Sequence, residues 1–167
     1  MTKEDKIPKE SNLNACCFTG HRPDKLRRSE AKVAEDLGQA IRQAVTDGYL
    51  TFITGMAPGV DIVAGEIVLK LRNAFPSLRL IAAIPYHGFE KRWDDEWKAR
   101  FTKLLENADE VHYIALHCFK GVSQVRNMWM VDRSSRVIAV YNGEKGGTKN
   151  TINYARRKNV PVVYIDG

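Results

Sequence analysis

Apolar residues along this chain fall into short continuous runs, alternating with longer stretches in which they return every three or four positions. The short runs, at 15–18, 50–53, 78–84, 110–116, 136–141 and 161–165, favour β-branched and aromatic residues. Bounded by Gly, Pro or polar residues, such runs predict buried strands. The stretches between them predict helices. Ser29 stands as an N-cap before Val33, Leu37, Ala40, Ile41, Ala44 and Val45, which share one helical face, and Gly48 closes that helix. A second helix starts at Val60 and turns Val63, Ile67 and Leu71 inward; the strand that follows is expected to stop at Pro85. A third, charged helix carries Trp93, Trp97, Phe101, Leu104 and Leu105 at spacings of one turn, a stripe that packs a helix on a sheet. A fourth is capped by Ser123 and places Arg126 and Arg133 on nearly the same face. The last, over 149–158, ends in basic residues that suit the negative end of its dipole.

Repeated βα units with a closing strand predict an α/β fold: a three-layer sandwich around a Rossmann-like, doubly wound parallel sheet. The expected strand order is 3-2-1-4-5-6. A single domain over 14–167 follows a flexible polar tail over 1–13.

Composition narrows the class. At 167 residues, with 44% apolar and 28% charged residues, the chain resembles an ordinary globular domain. No apolar run reaches membrane-spanning length and the first residues lack a signal-peptide pattern, so a cytoplasmic protein with no membrane partner is expected. Cys16, Cys17 and Cys118 have no zinc or disulfide spacing and read as core or near-core residues. No metal site and no cofactor are expected. A net charge of +6 favours polyanions: nucleotide phosphates, nucleic acid or acidic lipid.

The candidate chemistry sits where strands end. The first strand runs into Thr19-Gly20-His21-Arg22-Pro23, the second into Thr54-Gly55-Met56-Ala57-Pro58-Gly59, and the fifth into Asn142-Gly143-Glu144-Lys145-Gly146-Gly147-Thr148. In an open parallel sheet these loops share the carboxyl edge where ligands bind. Gly20 allows close backbone approach, and His21 and Arg22 offer donors to an anion, unless they are simply solvated. The loops holding Gly55, Gly59, Gly146 and Gly147 each lead into a helix N-terminus, whose free N–H groups favour phosphate, and Thr148 can cap the last helix. Neither matches the dinucleotide fingerprint or the P-loop, which excludes those two classes. Arg126 near a helix start opposes the dipole unless an anion is there, and Tyr86 follows directly on a strand end. Asp61 and Glu66 are the nearest carboxylates; Asp61 also suits the first turn of its helix, and the two do not share a face. No predicted surface element interleaves aromatic and basic residues in the manner of a nucleic-acid groove.

From Cys17 to Asp166 the chain resembles the YpsA-like family, a branch of the SLOG superfamily of Rossmann-like nucleotide-ligand proteins. The resemblance is carried by Cys17-Phe18-Thr19-Gly20-His21-Arg22-Pro23, by Thr54 through Asp61, by Pro85-Tyr86, by Met130-Val131-Asp132-Arg133-Ser134 and by Gly146-Gly147-Thr148 with Asn150-Thr151-Ile152. Two relatives imply different activities. LOG-type phosphoribohydrolases share the Gly-Gly and Thr of their loop with Gly146-Gly147-Thr148, and Arg126 matches their helical Arg. The position of their catalytic Glu is Thr151 here, which removes the carboxylate that such hydrolysis needs. The DNA-processing protein DprA is similar over Thr54 to Asp61 and over Arg126-Asn127 through Val140, and that resemblance implies single-stranded nucleic acid as a partner.

The expected function is binding of a nucleotide or an ADP-ribose-like ligand. Thr19, Gly20, His21, Arg22, Gly55, Met56, Gly59, Tyr86, Arg126, Asn142, Gly146, Gly147 and Thr148 form the expected ligand site. The alternatives are a nucleotide-processing hydrolase, in which Asp61 or Glu66 acts as base and His21 as acid, and a DprA-like single-strand binding protein. Self-association is expected from the Rossmann-like relatives.

Overall fold

The computed structural model describes residues 15–167; the polar segment 1–13, expected to be a flexible tail, lies outside the described residues. The six apolar runs become β1 (Ala15–Gly20), β2 (Thr51–Thr54), β3 (Arg79–Tyr86), β4 (Glu110–Ala115), β5 (Arg136–Tyr141) and β6 (Val162–Asp166). All pair in parallel in one sheet. Between them run α1 (Glu30–Thr46), α2 (Val60–Arg72), α3 (Asp95–Asn107), α4 (Val122–Asp132) and α5 (Gly147–Arg157).

The strand order is β4-β3-β2-β1-β5-β6, not 3-2-1-4-5-6. β4 adds outside β3, with Ile81 opposite Glu110 and Tyr86 opposite Ala115, before the chain returns across the sheet to lay β5 beside β1. The composition of β4 explains its place. A strand deep in a parallel sheet is apolar on both faces, as in β5, where Val137, Ile138, Ala139 and Val140 are all buried. Glu110 and His112 in β4 tolerate only an edge, where Glu110 pairs with Arg79 and lies 3.1 Å from the His112 ring. The reversal of strand order therefore falls between β1 and β5, and the β1 loop still lies between those of β2 and β5.

Strands β1, β2, β3 and β5 feed two cores by alternation. Cys16, Phe18, Phe52, Leu80, Ile84, Ile138 and Val140 face α1, α2 and α3, with the Phe18 and Phe52 rings stacked at 6.0 Å. Cys17, Ile53, Ala83 and Val137 face Met130 and Val131 of α4 and Ala155 of α5. Burying each large apolar side chain contributes about 1.5–3 kcal/mol. Cys118, expected near the core, is exposed beyond the end of β4. Pro85 does not stop β3, since it lies past Ala82, the last β3 residue paired with β2, so its missing N–H breaks no bond to that neighbour.

The helices start in two ways. Ser29 caps α1 by accepting from Lys32 N–H at 3.3 Å, and Asp94 caps α3 by accepting from Trp97 N–H at 3.0 Å. At α2, α4 and α5 the cap is Gly59, Gly121 or Gly146, each with positive φ and no side-chain cap bond. Ser123 and Thr148, expected to be caps, instead lie inside the first turns of α4 and α5, because the preceding glycine already makes the turn. Among the described residues no helix is long and apolar enough to cross a membrane.

Candidate functional site

The β1 loop is held from both sides. A Cβ on Gly20 would stand 2.5 Å from the Val60 side chain, and one on Gly59 would stand 2.8 Å from the His21 carbonyl oxygen. Only glycine lets the start of α2 close on β1 in this way. Opposite, the Asn142 backbone N–H donates to His21 Nε2 at 3.1 Å, and Asn142 Nδ2 donates to the Lys25 carbonyl at 3.0 Å. The His21 ring is buried and stacks on Tyr141 with centroids 5.9 Å apart. Burial lowers its pKa, against a smaller opposite pull from Glu144, so Nε2 stays free to accept.

Beneath this loop Asp61 and Arg126 converge on Gly55. Both side chains come within 2.7 Å of where a Gly55 Cβ would be, so any other residue would drive them apart. Arg126 is buried: Nη1 donates to the carbonyl of Gly55, and Nε donates to Asn127 Oδ1 at 2.7 Å. Asp61 Oδ2 accepts from Ala57 N–H at 3.3 Å, while Thr54 Oγ1 donates to the Asp61 carbonyl at 2.7 Å. Burial raises the Asp61 pKa, and the positive charges of Arg126 and Arg22 oppose that rise. Arg126 carries the reverse strain, since burial lowers its pKa and Asp61 is what holds it up.

Above Arg126 opens a cavity of about 250 Å³ at the carboxyl edge of the sheet. Thr19, Gly20, His21 and Arg22 form one wall, Gly146, Gly147 and Thr148 another, and Asp61 and Arg126 the floor. Lys25, Ser123, Asn127 and Lys145 also reach it and were not anticipated; the first turn of α4 brings in Ser123. The side chains of Arg22, Lys25, Arg126 and Lys145 thus face a single carboxylate.

Other expected ligand residues support the cavity from behind. Gly55 and Gly59 make room, and Asn142 ties two loops together. Met56 is fully buried at a φ of 62°, with its N–H donated to Thr54 Oγ1 at 3.3 Å. Glu66 lies elsewhere: it pairs with Arg100 at 2.8 Å on the outer side of α2, and Arg100 also pairs with Glu30. Arg133, expected on the same face as Arg126, is exposed at the end of α4 and stacks on Trp129 at 4.0 Å. Thr151 donates its hydroxyl to the Gly147 carbonyl at 2.8 Å within α5. Among the described residues no cluster of His, Cys, Asp or Glu is arranged to hold a metal ion.

A second cleft of about 470 Å³ adjoins the first, and Arg22 lines both. Its walls come from Tyr86 at the end of β3, from His87, Gly88, Phe89, Lys91, Arg92 and Trp93 in the connection to α3, and from His117 and Cys118 beyond β4. This corrects the expectation that no element interleaves aromatic and basic residues. α3 begins only at Asp95, so Trp93 belongs to the connection, where it packs edge-on to Phe89 at 4.9 Å while keeping an edge-on contact with Phe101 of α3 at 5.4 Å. Tyr86 packs edge-on to the other side of that cluster, 5.5 Å from Phe89.

Comparison with known proteins places the chain. The family model YpsA, described as the YspA SLOG family, matches residues 16–166. The chain belongs to this family. Among similar proteins, the SPbeta prophage-derived protein YoqJ of Bacillus subtilis (strain 168) is 32% identical over 139 residues, covering 75% of this chain and 81% of YoqJ. A UPF0398 protein of Bacillus thuringiensis (strain Al Hakam) is 26% identical over 154 residues, covering 87% of this chain and 84% of its own. Two solved structures share the Rossmann-like fold. DprA from Streptococcus pneumoniae superposes with a TM-score of 0.66 at 20% identity, covering 92% of this chain and 50% of that one. DprA from Helicobacter pylori, described for its single-stranded DNA binding mode, gives 0.65 at 19% identity, covering 92% and 66%. The YspA SLOG chain thus spans half to about two thirds of the DprA proteins it resembles.

Proposed function

We propose that this YspA SLOG protein binds the phosphate of a nucleotide or an ADP-ribose-like ligand in the cationic cavity and leaves it intact. The observation that carries the reading is the placement of Arg126, a buried guanidinium facing a first helical turn that has no side-chain cap. Free N–H groups at the start of α5 and the guanidiniums of Arg126 and Arg22 are complementary to a phosphate dianion. The Lys25 and Lys145 side chains add charge at the mouth.

The carboxylates speak against bond cleavage. Asp61 accepts from Ala57 N–H and lies in the field of the Arg126 charge, Glu66 pairs with Arg100, and Glu144 pairs with Arg27 at 2.6 Å. His21 Nε2 already accepts a hydrogen bond and carries no proton to donate. Single-strand nucleic-acid binding is the second reading, favoured by the fold shared with the DprA structures and by the net charge of +6.

Native mass spectrometry with AMP, ADP-ribose and NAD tests the reading. The expected result is an intact adduct at the ligand's full mass, lost in Lys145→Ala/Arg22→Gln. A nucleotide at a hundredfold excess over its Kd should also stabilise the fold by about 2.7 kcal/mol. A fragment mass in place of the ligand mass would establish an enzyme. Affinity for oligonucleotides alone, falling steeply with salt, would establish the second reading.

A further inference from the structure

Two buried side chains on the floor of the cationic cavity each hold one polar atom in reserve. Asp61 and Arg126 are only 8% and 5% exposed. Arg126 commits Nη1 to the Gly55 carbonyl and Nε to Asn127, and its Nη2 has no hydrogen bond among the described residues. Asp61 Oδ2 accepts from Ala57 N–H, and Oδ1 accepts from none of them. Every side-chain nitrogen or oxygen sealed from solvent among the described residues has a partner, so Nη2 and Oδ1 both open into the cavity. A carboxylate taken out of bulk water with one oxygen unmet is costly, and a ligand atom can meet it.

The pair sets a donor beside an acceptor. Nη1 and Oδ2 both lie 2.7 Å from the point where a Gly55 Cβ would stand, so the two head groups sit side by side and face one ligand group. A bare oxyanion satisfies only half of this arrangement: it accepts from Nη2 but meets the Asp61 carboxylate as a like charge. A phosphate carrying one proton satisfies both, its anionic oxygen accepting from the guanidinium and its P–OH donating to Oδ1. A phosphate monoester has its second pKa near 6 and takes on that proton readily, whereas a sulfate ester of the same shape carries none near neutral pH. The charged and titratable groups that face Asp61 are Arg126 from α4, Arg22 from the β1 loop and Cys17 from β1, with Lys25 and Lys145 across the cavity. These cations favour the ionised carboxylate, which is the form that accepts.

We infer that Asp61 is the specificity-determining residue of the cavity: Oδ1 accepts a hydrogen bond from a protonated phosphate oxygen, so the site takes a phosphate monoester with one proton and rejects the isosteric sulfate ester. This inference rests on the phosphate reading of the cavity and adds to it a reason for the carboxylate on a floor that otherwise attracts anions.

The experiment is isothermal titration of the full chain at pH 7 with AMP and with adenosine 5′-sulfate, repeated in buffers of different ionisation enthalpy. AMP is expected to bind about a hundredfold more tightly, the worth of one hydrogen bond to a charged group. It should also take up about one proton on binding, because most of it arrives as the dianion. In Asp61→Asn the amide can donate to a bare anion, so the sulfate ester should bind more tightly than to the wild type, with the preference for AMP and the proton uptake both lost. Melting curves establish that the variant is folded; if it is not, the ester preference and the proton count of the wild type decide alone. Equal affinity for the two esters, or binding of AMP without proton uptake, overturns the inference while the phosphate reading stands. Equal weakening of both esters by Asp61→Asn overturns it as well and assigns Asp61 to a sugar hydroxyl. Binding of neither ester overturns the phosphate reading and the inference with it.

Discussion

Asn142 donates its backbone N–H to Nε2 of His21 across 3.1 Å, joining loops 121 residues apart in sequence. The bond exists only while that nitrogen is unprotonated. His21 has a folded pKa below its ordinary value, so the unfolded chain takes up a proton before the folded one does. Stability from this group is therefore complete above the ordinary histidine range near pH 6.5 and is lost as pH falls through the lower folded value. The melting temperature of the wild type should fall between pH 7.5 and 5.5, and that of His21→Gln should fall less. Parallel pH profiles would mean that His21 does not govern this range.

Gly55→Ala should be among the most damaging small substitutions in the chain. The added methyl meets Arg126 Nη1 and Asp61 Oδ2 at 2.7 Å, and neither buried group has solvent to move into. A loss of about 2–3 kcal/mol in urea unfolding is expected. Gly143→Ala, with nothing within 4 Å but a φ of +90°, should lose about 1–2 kcal/mol from backbone strain alone.

Arg126→Met leaves Asp61 buried without its nearest cation, a change expected to cost about 3–5 kcal/mol. The Asp61 pKa is already raised by burial, so its charged form is the one that suffers. The destabilisation should accordingly be larger at pH 8 than at pH 5. Asp61→Asn in the Arg126→Met background should recover much of the loss at pH 8. No recovery would show that the two charges do not compensate each other.

A thiol reagent distinguishes the three cysteines. Cys118 is exposed, whereas Cys16 and Cys17 are buried in β1, where burial pushes the Cys17 thiol up to about 12. Native protein should react quickly at one thiol, identified by Cys118→Ser, and at three only in denaturant. Fast reaction at a second thiol would show that β1 opens in the native state.

Periodicity made the elements legible because it reports which face of a residue run is buried, and Val33, Leu37, Ile41 and Ala44 lie in the core as their spacing demands. Strand order is less accessible, because a neighbour in a sheet is chosen by tertiary packing. One local sign existed: Glu110 and His112 in an otherwise apolar run mark an edge strand, which a place beside β1 would have forbidden. In the site, loops with Gly, His and Arg at strand ends pointed to Thr19, Gly20, Arg22 and Gly146 through Thr148. The aromatic–basic connection was overlooked because Trp93 also fits the helical stripe that starts two residues later, and only the cap at Asp94 separates them. The roles of His21 and Asn142 depend on a contact between distant loops that no spacing encodes.

The bonds that Asn142 makes to His21 and to Lys25, with Arg27 reaching Glu144 outside them, set the shape of the cationic cavity before any ligand arrives. The freedom of those loops is surrendered during folding, and an incoming anion has little left to organise. Association should then be governed by long-range attraction to the positive mouth, quick at low ionic strength and slowed by salt, with amide exchange in the loop around Asn142 nearly the same in the free and occupied protein.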